Sequence, residues 1–213
     1  MRADRLTLVV VALLATPLIA RGDVINGDFE DDLNGWSIES GSFGALPDYT
    51  GNHWAVSSTG GRLRQTFDLP PAALTLSFRY LYNQYGTGGG APPDFLNFYF
   101  MDPDTLENLI PPPEGLEDWI VFLGQDNTGL YAVNTDYVTV TDPDADGGRY
   151  VTIALTHLPP QQSARLEFGS FEFDDGQDSL LAVDDVLVTV PEPASAILLT
   201  LCTWPVCRRQ RPR

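Results

Sequence analysis

From residue 23 to residue 189 apolar and polar positions alternate with a period of two. In Ala73-Leu74-Thr75-Leu76-Ser77-Phe78-Arg79-Tyr80-Leu81-Tyr82, the side chains of Leu74, Leu76, Phe78, Tyr80 and Tyr82 fall on one side. Thr75, Ser77 and Arg79 fall on the other, which is the pattern of a strand with one face in a core. The same reading predicts strands over 54–57, 62–69, 95–101, 130–141, 150–156, 165–173 and 180–189, with weaker ones at 36–39 and 119–123. Turn-forming clusters separate them: Gly86-Thr87-Gly88-Gly89-Gly90-Ala91-Pro92-Pro93, Pro111-Pro112-Pro113 and residues 142–148. No stretch keeps a helical stripe and no repeat of fixed period is visible. Nine or ten short strands of this kind predict an all-β, antiparallel β-sandwich.

The two ends depart from this pattern. Arg2 and Arg5 precede an apolar run over 6–15, followed by Ala20-Arg21-Gly22. A basic start, a short apolar stretch and small residues before Asp23 predict a secretory signal peptide over 1–22. At the other end, Pro191-Glu192-Pro193 leads into an apolar stretch over 196–207 and then Arg208, Arg209, Arg211 and Arg213. The segment 190–213 resembles the PEP-CTERM sorting signal of bacterial exported proteins. That resemblance implies an exosortase-type sorting enzyme as partner, transient membrane anchoring through a C-terminal hydrophobic helix, and a final place at the cell surface or outside the cell. The arginine cluster fits a stop-transfer role by the positive-inside bias. The tail departs from a full span: 15 residues separate Glu192 from Arg208, roughly 22 Å of helix against a hydrocarbon core of roughly 30 Å.

Charge sharpens the division. All 12 basic side chains are arginine, against 29 acidic ones, for a net charge of −17. Seven of the arginines belong to the two ends, which leaves five against 27 acids in the middle. A domain this acidic has no surface for phosphate neutralisation, so nucleic acid is excluded as a partner. Cys202 and Cys207 both lie in the tail, so residues 23–189 must be stabilised without disulfides.

Within the middle, Asn26-Gly27-Asp28-Phe29-Glu30 followed by Gly35-Trp36 resembles the first strand of galactose-binding-like jelly rolls, a group that includes many carbohydrate-binding modules. Leu181-Ala182-Val183-Asp184-Asp185-Val186 is similar to the last strand of the same group. The resemblance implies a jelly-roll sandwich, an extracellular polysaccharide as ligand, and a structural calcium joining first and last strands through Glu30 and Asp184 or Asp185. Alternation alone also marks the closing strand, because whichever of its faces is buried carries one of the two aspartates, and a buried carboxylate needs donors or a cation.

A second set of oxygen donors, Asp142, Asp144 and Asp146 with Gly147, has the spacing of the first half of a calcium loop, but Ile153 stands where the closing glutamate belongs. For ligand stacking the aromatic pool is Trp36, Trp54, Trp119, Tyr82, Tyr85, Tyr99 and Tyr131. Trp36 and Trp54 sit in strand-like contexts and read as core, while Tyr85 and Trp119 flank loops and are the first candidates to bind sugar. No nucleophile motif is present, and His53 and His157 lie in unrelated contexts. The resulting expectation is an exported, non-catalytic sandwich acting in a matrix or in adhesion, with carbohydrate as candidate ligand. Two alternatives stay open: a secreted glycoside hydrolase or lyase using a pair of acids, and a structural adhesion module without a small ligand.

Overall fold

A computed structural model of the chain describes residues 24–84, 94–113, 121–126, 129–131, 133–159, 162–172 and 179–190. The strands are β1 (Ser37–Gly41), β2 (Gly44–Pro47), β3 (His53–Ser57), β4 (Gly61–Asp68), β5 (Thr75–Gln84), β6 (Phe95–Met101), β7 (Val121–Asp126), β8 (Gly129–Tyr131), β9 (Val138–Val140), β10 (Arg149–Ala154), β11 (Ser163–Phe171) and β12 (Ser179–Thr189). They form two six-stranded antiparallel sheets, ordered β1-β4-β11-β6-β7-β8 and β2-β3-β12-β5-β10-β9. The all-β sandwich expected from the alternation is therefore the fold, and no helix occurs among the described residues. The signal peptide, the sorting motif Pro191-Glu192-Pro193 and the arginine tail lie outside the described residues.

Alternate side chains of both sheets meet in one core. Leu76, Phe78 and Tyr80 of β5 face Phe98 of β6 and Phe168 of β11. Phe98 and Phe168 stand edge-on to Phe78 at 5.1 Å each, and Tyr80 stands edge-on to Phe98 at 5.0 Å. Such contacts add to the stabilisation from apolar burial itself. The buried Tyr80 hydroxyl is satisfied, since it donates to Gln125 Oε1 at 2.6 Å.

Three expectations about elements are corrected. The predicted strand over 130–141 is two strands in different sheets, β8 and β9. Asn134 breaks it: its carbonyl accepts from Tyr137 and Val138, and its side chain from Asp136, a turn that competes with the ladder. The Asn26 to Trp36 segment, which resembles a first strand, is a series of turns. Asn26 accepts from the Asp31 amide and donates to the carbonyls of Asp31, Asp32 and Asn34, while Phe29 adopts φ 54° and sinks fully into the core. Buried Gln65 of β4 staples the same segment to the sandwich, accepting from Ile25 N at 2.8 Å and donating to the carbonyls of Ile25 and Gly35.

The third correction concerns β12. Its pairing with β5 is interrupted between Asp184 and Leu187, and Asp185 takes φ 55°. This bulge shifts the alternation by one, so that Leu181 and Val183 before it and Val186 and Val188 after it all face the core. No aspartate is left among the core-facing side chains. Asp185 is exposed, and Asp184 turns to the outer face, where it is nevertheless 2% exposed.

Candidate functional site

The outer face of the second sheet carries a groove of about 440 Å³. Because Ala55 of β3 points into the core, its neighbours Trp54 and Val56 point outward. Leu81 of β5 and Leu180 and Ala182 of β12 lie on the same side and complete an apolar floor, with Leu46 of β2 at its edge. A floor of this kind on a solvent-facing sheet is not needed for the core.

Two loops and one arginine build the walls. Between β2 and β3, the Asp48 carboxylate accepts from Thr50 N at 2.7 Å, Thr50 Oγ1 at 2.6 Å and Asn52 N at 3.2 Å. The Asp48 amide donates to the Asn52 carbonyl, and Gly51 supplies φ 92°. Tyr49 stands at the tip of this turn, 89% exposed. The Thr50 hydroxyl and the amides of the turn hold the Asp48 carboxyl below its ordinary value.

Arg79 is the opposite wall. Its guanidinium lies 4.7 Å from the Trp54 ring centroid and 5.7 Å from that of Tyr150. It donates to Asp144 Oδ2 from Nε and Nη2, and Asp146 stands 3.6 Å away. The other Asp144 oxygen accepts from the amides of Asp146 and Gly148. Burial raises the Asp144 pKa, but the Arg79 hydrogen bond and these amides outweigh it and hold the carboxyl below its ordinary value. The expected calcium loop is thus closed by an arginine: Asp144 already faces a fixed cation, Asp142 is exposed, and a metal does not fit there.

The other expected calcium ligands lie at the seam between the N-terminal segment and β12. Val186 N at the bulge donates to the Gly27 carbonyl at 2.9 Å. Glu30, expected as a ligand, accepts from His53 N and pairs with His53 Nδ1, both at 2.9 Å. Asp184 Oδ2 accepts from Asn52 Nδ2 at 2.6 Å, and its Oδ1 from the Asp185 amide at 2.7 Å. Burial, with added repulsion from Asp185 and Asp28, pushes the Asp184 carboxyl up to about 6 against these hydrogen bonds. The donor chemistry, all oxygen, suits a hard cation. Among the described residues, however, no three acidic, histidine or cysteine side chains gather into a metal-holding group.

The aromatic candidates divide. Tyr85 and Trp119 lie outside the described residues. Trp36 is core, its Nε1 donating to Asn26 O, and Trp54 is 7% exposed beneath Arg79. Tyr99 and Tyr131 lie on the outer face of the first sheet, joined through Asn97: Tyr131 donates to its Oδ1 at 2.7 Å and its Nδ2 donates to the Tyr99 hydroxyl at 3.3 Å. Tyr82 is half-buried. Tyr49 and Arg79 were not among the expected binding residues. The signal for Tyr49 was an aromatic inside Asp48-Tyr49-Thr50-Gly51-Asn52, a run of turn formers with no strand of its own.

No family model matches the chain, and no curated protein matches it. Among solved structures, it is similar to TmCBM61 in complex with β-1,4-galactotriose, at 9% identity and TM-score 0.48, covering 80% of this chain and 99% of that one. It is also similar to the K3 cleaved adhesin domain of Lys-gingipain from Porphyromonas gingivalis, at 15% identity and TM-score 0.43, covering 79% and 99%. A third is CBM28, a carbohydrate-binding module specific for non-crystalline cellulose, at 14% identity and TM-score 0.44, covering 79% and 95%. Likeness of this degree carries no argument about ligand, so the functional reading rests on the groove.

Proposed function

We propose that the chain is an exported, non-catalytic binding protein that holds a glycan in the groove between Tyr49 and Arg79. The observation that carries this reading is the pairing of a solvent-facing apolar floor with a tyrosine ring left 89% exposed at the tip of a hydrogen-bonded turn. Sugar rings present a C–H face to such surfaces and hydroxyls to a few fixed polar groups at the rim, here Arg79, Asp48 and Asp146. Asp48 and Asp144 are both held ionised, so neither supplies the proton that a glycosidic leaving group needs. Asp184, whose carboxyl is pushed up, is 2% exposed and bound to Asn52.

The test is affinity electrophoresis and calorimetry of the full chain on β-1,4-galactan, mannan and amorphous cellulose. We expect retardation by at least one of these without new reducing ends, and a loss of about tenfold in affinity for Tyr49→Ala. Stability should change by less than about 0.5 kcal/mol, because the ring is almost fully solvated. No retardation by any glycan, or retardation equal in Tyr49→Ala, defeats the groove as a glycan site.

Delivery is a further part of the proposal. The signal peptide over 1–22 exports the chain and Pro191-Glu192-Pro193 presents it to an exosortase-type enzyme, with Arg208, Arg209, Arg211 and Arg213 as the stop-transfer end. Mass spectrometry of the chain from its host should show the C-terminal peptide removed, and retained in a strain without the sorting enzyme. An intact tail in both strains sinks this part alone.

A further inference from the structure

We infer that Asn52 is a positioning residue for the groove, tying the Tyr49 turn to the buried Asp184 of the last strand. The inference rests on the reading of the groove as a ligand site. An exposed ring gains almost no restraint from packing, so Tyr49 takes its position from the backbone beneath it. Apart from the contact of Asp48 with Trp54 in the same hairpin, the bonds of the turn are local: Asp48 to Thr50, to Gly51 and to Asn52. A hairpin loop bonded only to itself moves as a unit on its two strands.

The Asn52 side chain is the exception. It reaches 132 residues along the chain to Asp184 Oδ2, at 2.6 Å. Asp184 is 2% exposed, anchored in turn by the Asp185 amide at the bulge, and the bulge is closed by the bond from Val186 to Gly27. The next residue, His53, is braced by Glu30 through both its amide and its ring. The base of the turn is therefore fixed from two sides, by the last strand and by the N-terminal segment, and the tip inherits that order. For a ligand whose contacts include the Tyr49 ring, fixing the turn beforehand lowers the entropy lost on binding.

Asn52→Ala and Asp184→Ala remove the bond from opposite ends, so a folding defect in one leaves the other informative. Asp184→Asn keeps a partner, because Asn52 can present its oxygen instead of its amide nitrogen. In the full chain without ligand, we expect the heteronuclear NOE of residues 49–51 to fall to loop values in both alanine variants, with the strand amides unchanged, and to be preserved in Asp184→Asn. With whichever of β-1,4-galactan, mannan or amorphous cellulose is retained, Asn52→Ala should weaken binding about tenfold in the native background and not further in Tyr49→Ala. Unchanged NOE values in the alanine variants, or equal losses of affinity in both backgrounds, overturn the positioning role. Failure of all three glycans to bind overturns the glycan reading instead, and the NOE values still decide the role of Asn52.

Discussion

Replacing Gly27 by alanine is expected to destabilise the domain by about 4 kcal/mol. A Cβ at position 27 would stand 2.0 Å from the carbonyl oxygen of Val186 and 2.9 Å from its carbon. Both are backbone atoms, and no rotamer change relieves the overlap. The segment must lift from the bulge, which breaks the bond from Val186 N to Gly27 O and leaves a buried amide without its partner. Lifting also strains the seat of Phe29, which is fully buried against Trp36 at 5.2 Å between centroids. In a domain of this size the loss corresponds to a fall in melting temperature of about 10 °C. Thermal unfolding monitored by Trp fluorescence checks it, and a fall of less than about 3 °C would show that the seam does not bear on global stability.

The second large effect is a pH dependence seated at Asp184. Its carboxyl lies at about 6 in the folded chain against an ordinary value of 3.8. Between those values the folded state binds a proton that the unfolded state has released, so stability falls as pH rises from about 4 to about 6 and stays low above that window. Allowing for solvent screening, the shift corresponds to ~1–3 kcal/mol. Asp184→Asn removes the titrating charge and keeps the acceptor for the Asp185 amide. Its unfolding free energy, measured in chelator, should lack this fall, so that the variant gains on the native chain by ~1–3 kcal/mol at pH 7 and by little at pH 4. Parallel profiles for the two proteins across pH 4 to 7 would remove Asp184 as the source.

These effects mark the boundary of what was legible in the residues. β6 runs over Phe95–Met101, the span that alternation predicts, and β5, β10 and β11 differ from prediction only at their ends. Period-two patterning is a local property, and each of these strands carries enough apolar residues on one side to declare it. β2 was missed because Gly44-Ala45-Leu46-Pro47 has neither length nor β-branched side chains to be read as a strand. The resemblance of the two ends of the middle region, 26–36 and 181–186, to a known pair of strands was useful for fold, but it placed Glu30 beside the aspartates, whereas the side chain engages His53.

The sequence by itself determined that the middle is an acidic, disulfide-free β-sandwich, because alternation, turn clusters and charge are additive properties of neighbouring residues. Which carboxylate would be buried, and what would face it, was decided only by tertiary structure. A single bulged residue reverses every side chain beyond it, and nothing in Leu181 to Val188 announces where the bulge falls. The groove has the same origin. Tyr49, Trp54, Arg79, Asp146 and Leu180 come from three strands and two loops, and no spacing along the chain relates them. They meet because strand order places β3, β12 and β5 side by side, a long-range pairing that is selected by the packing of the whole core.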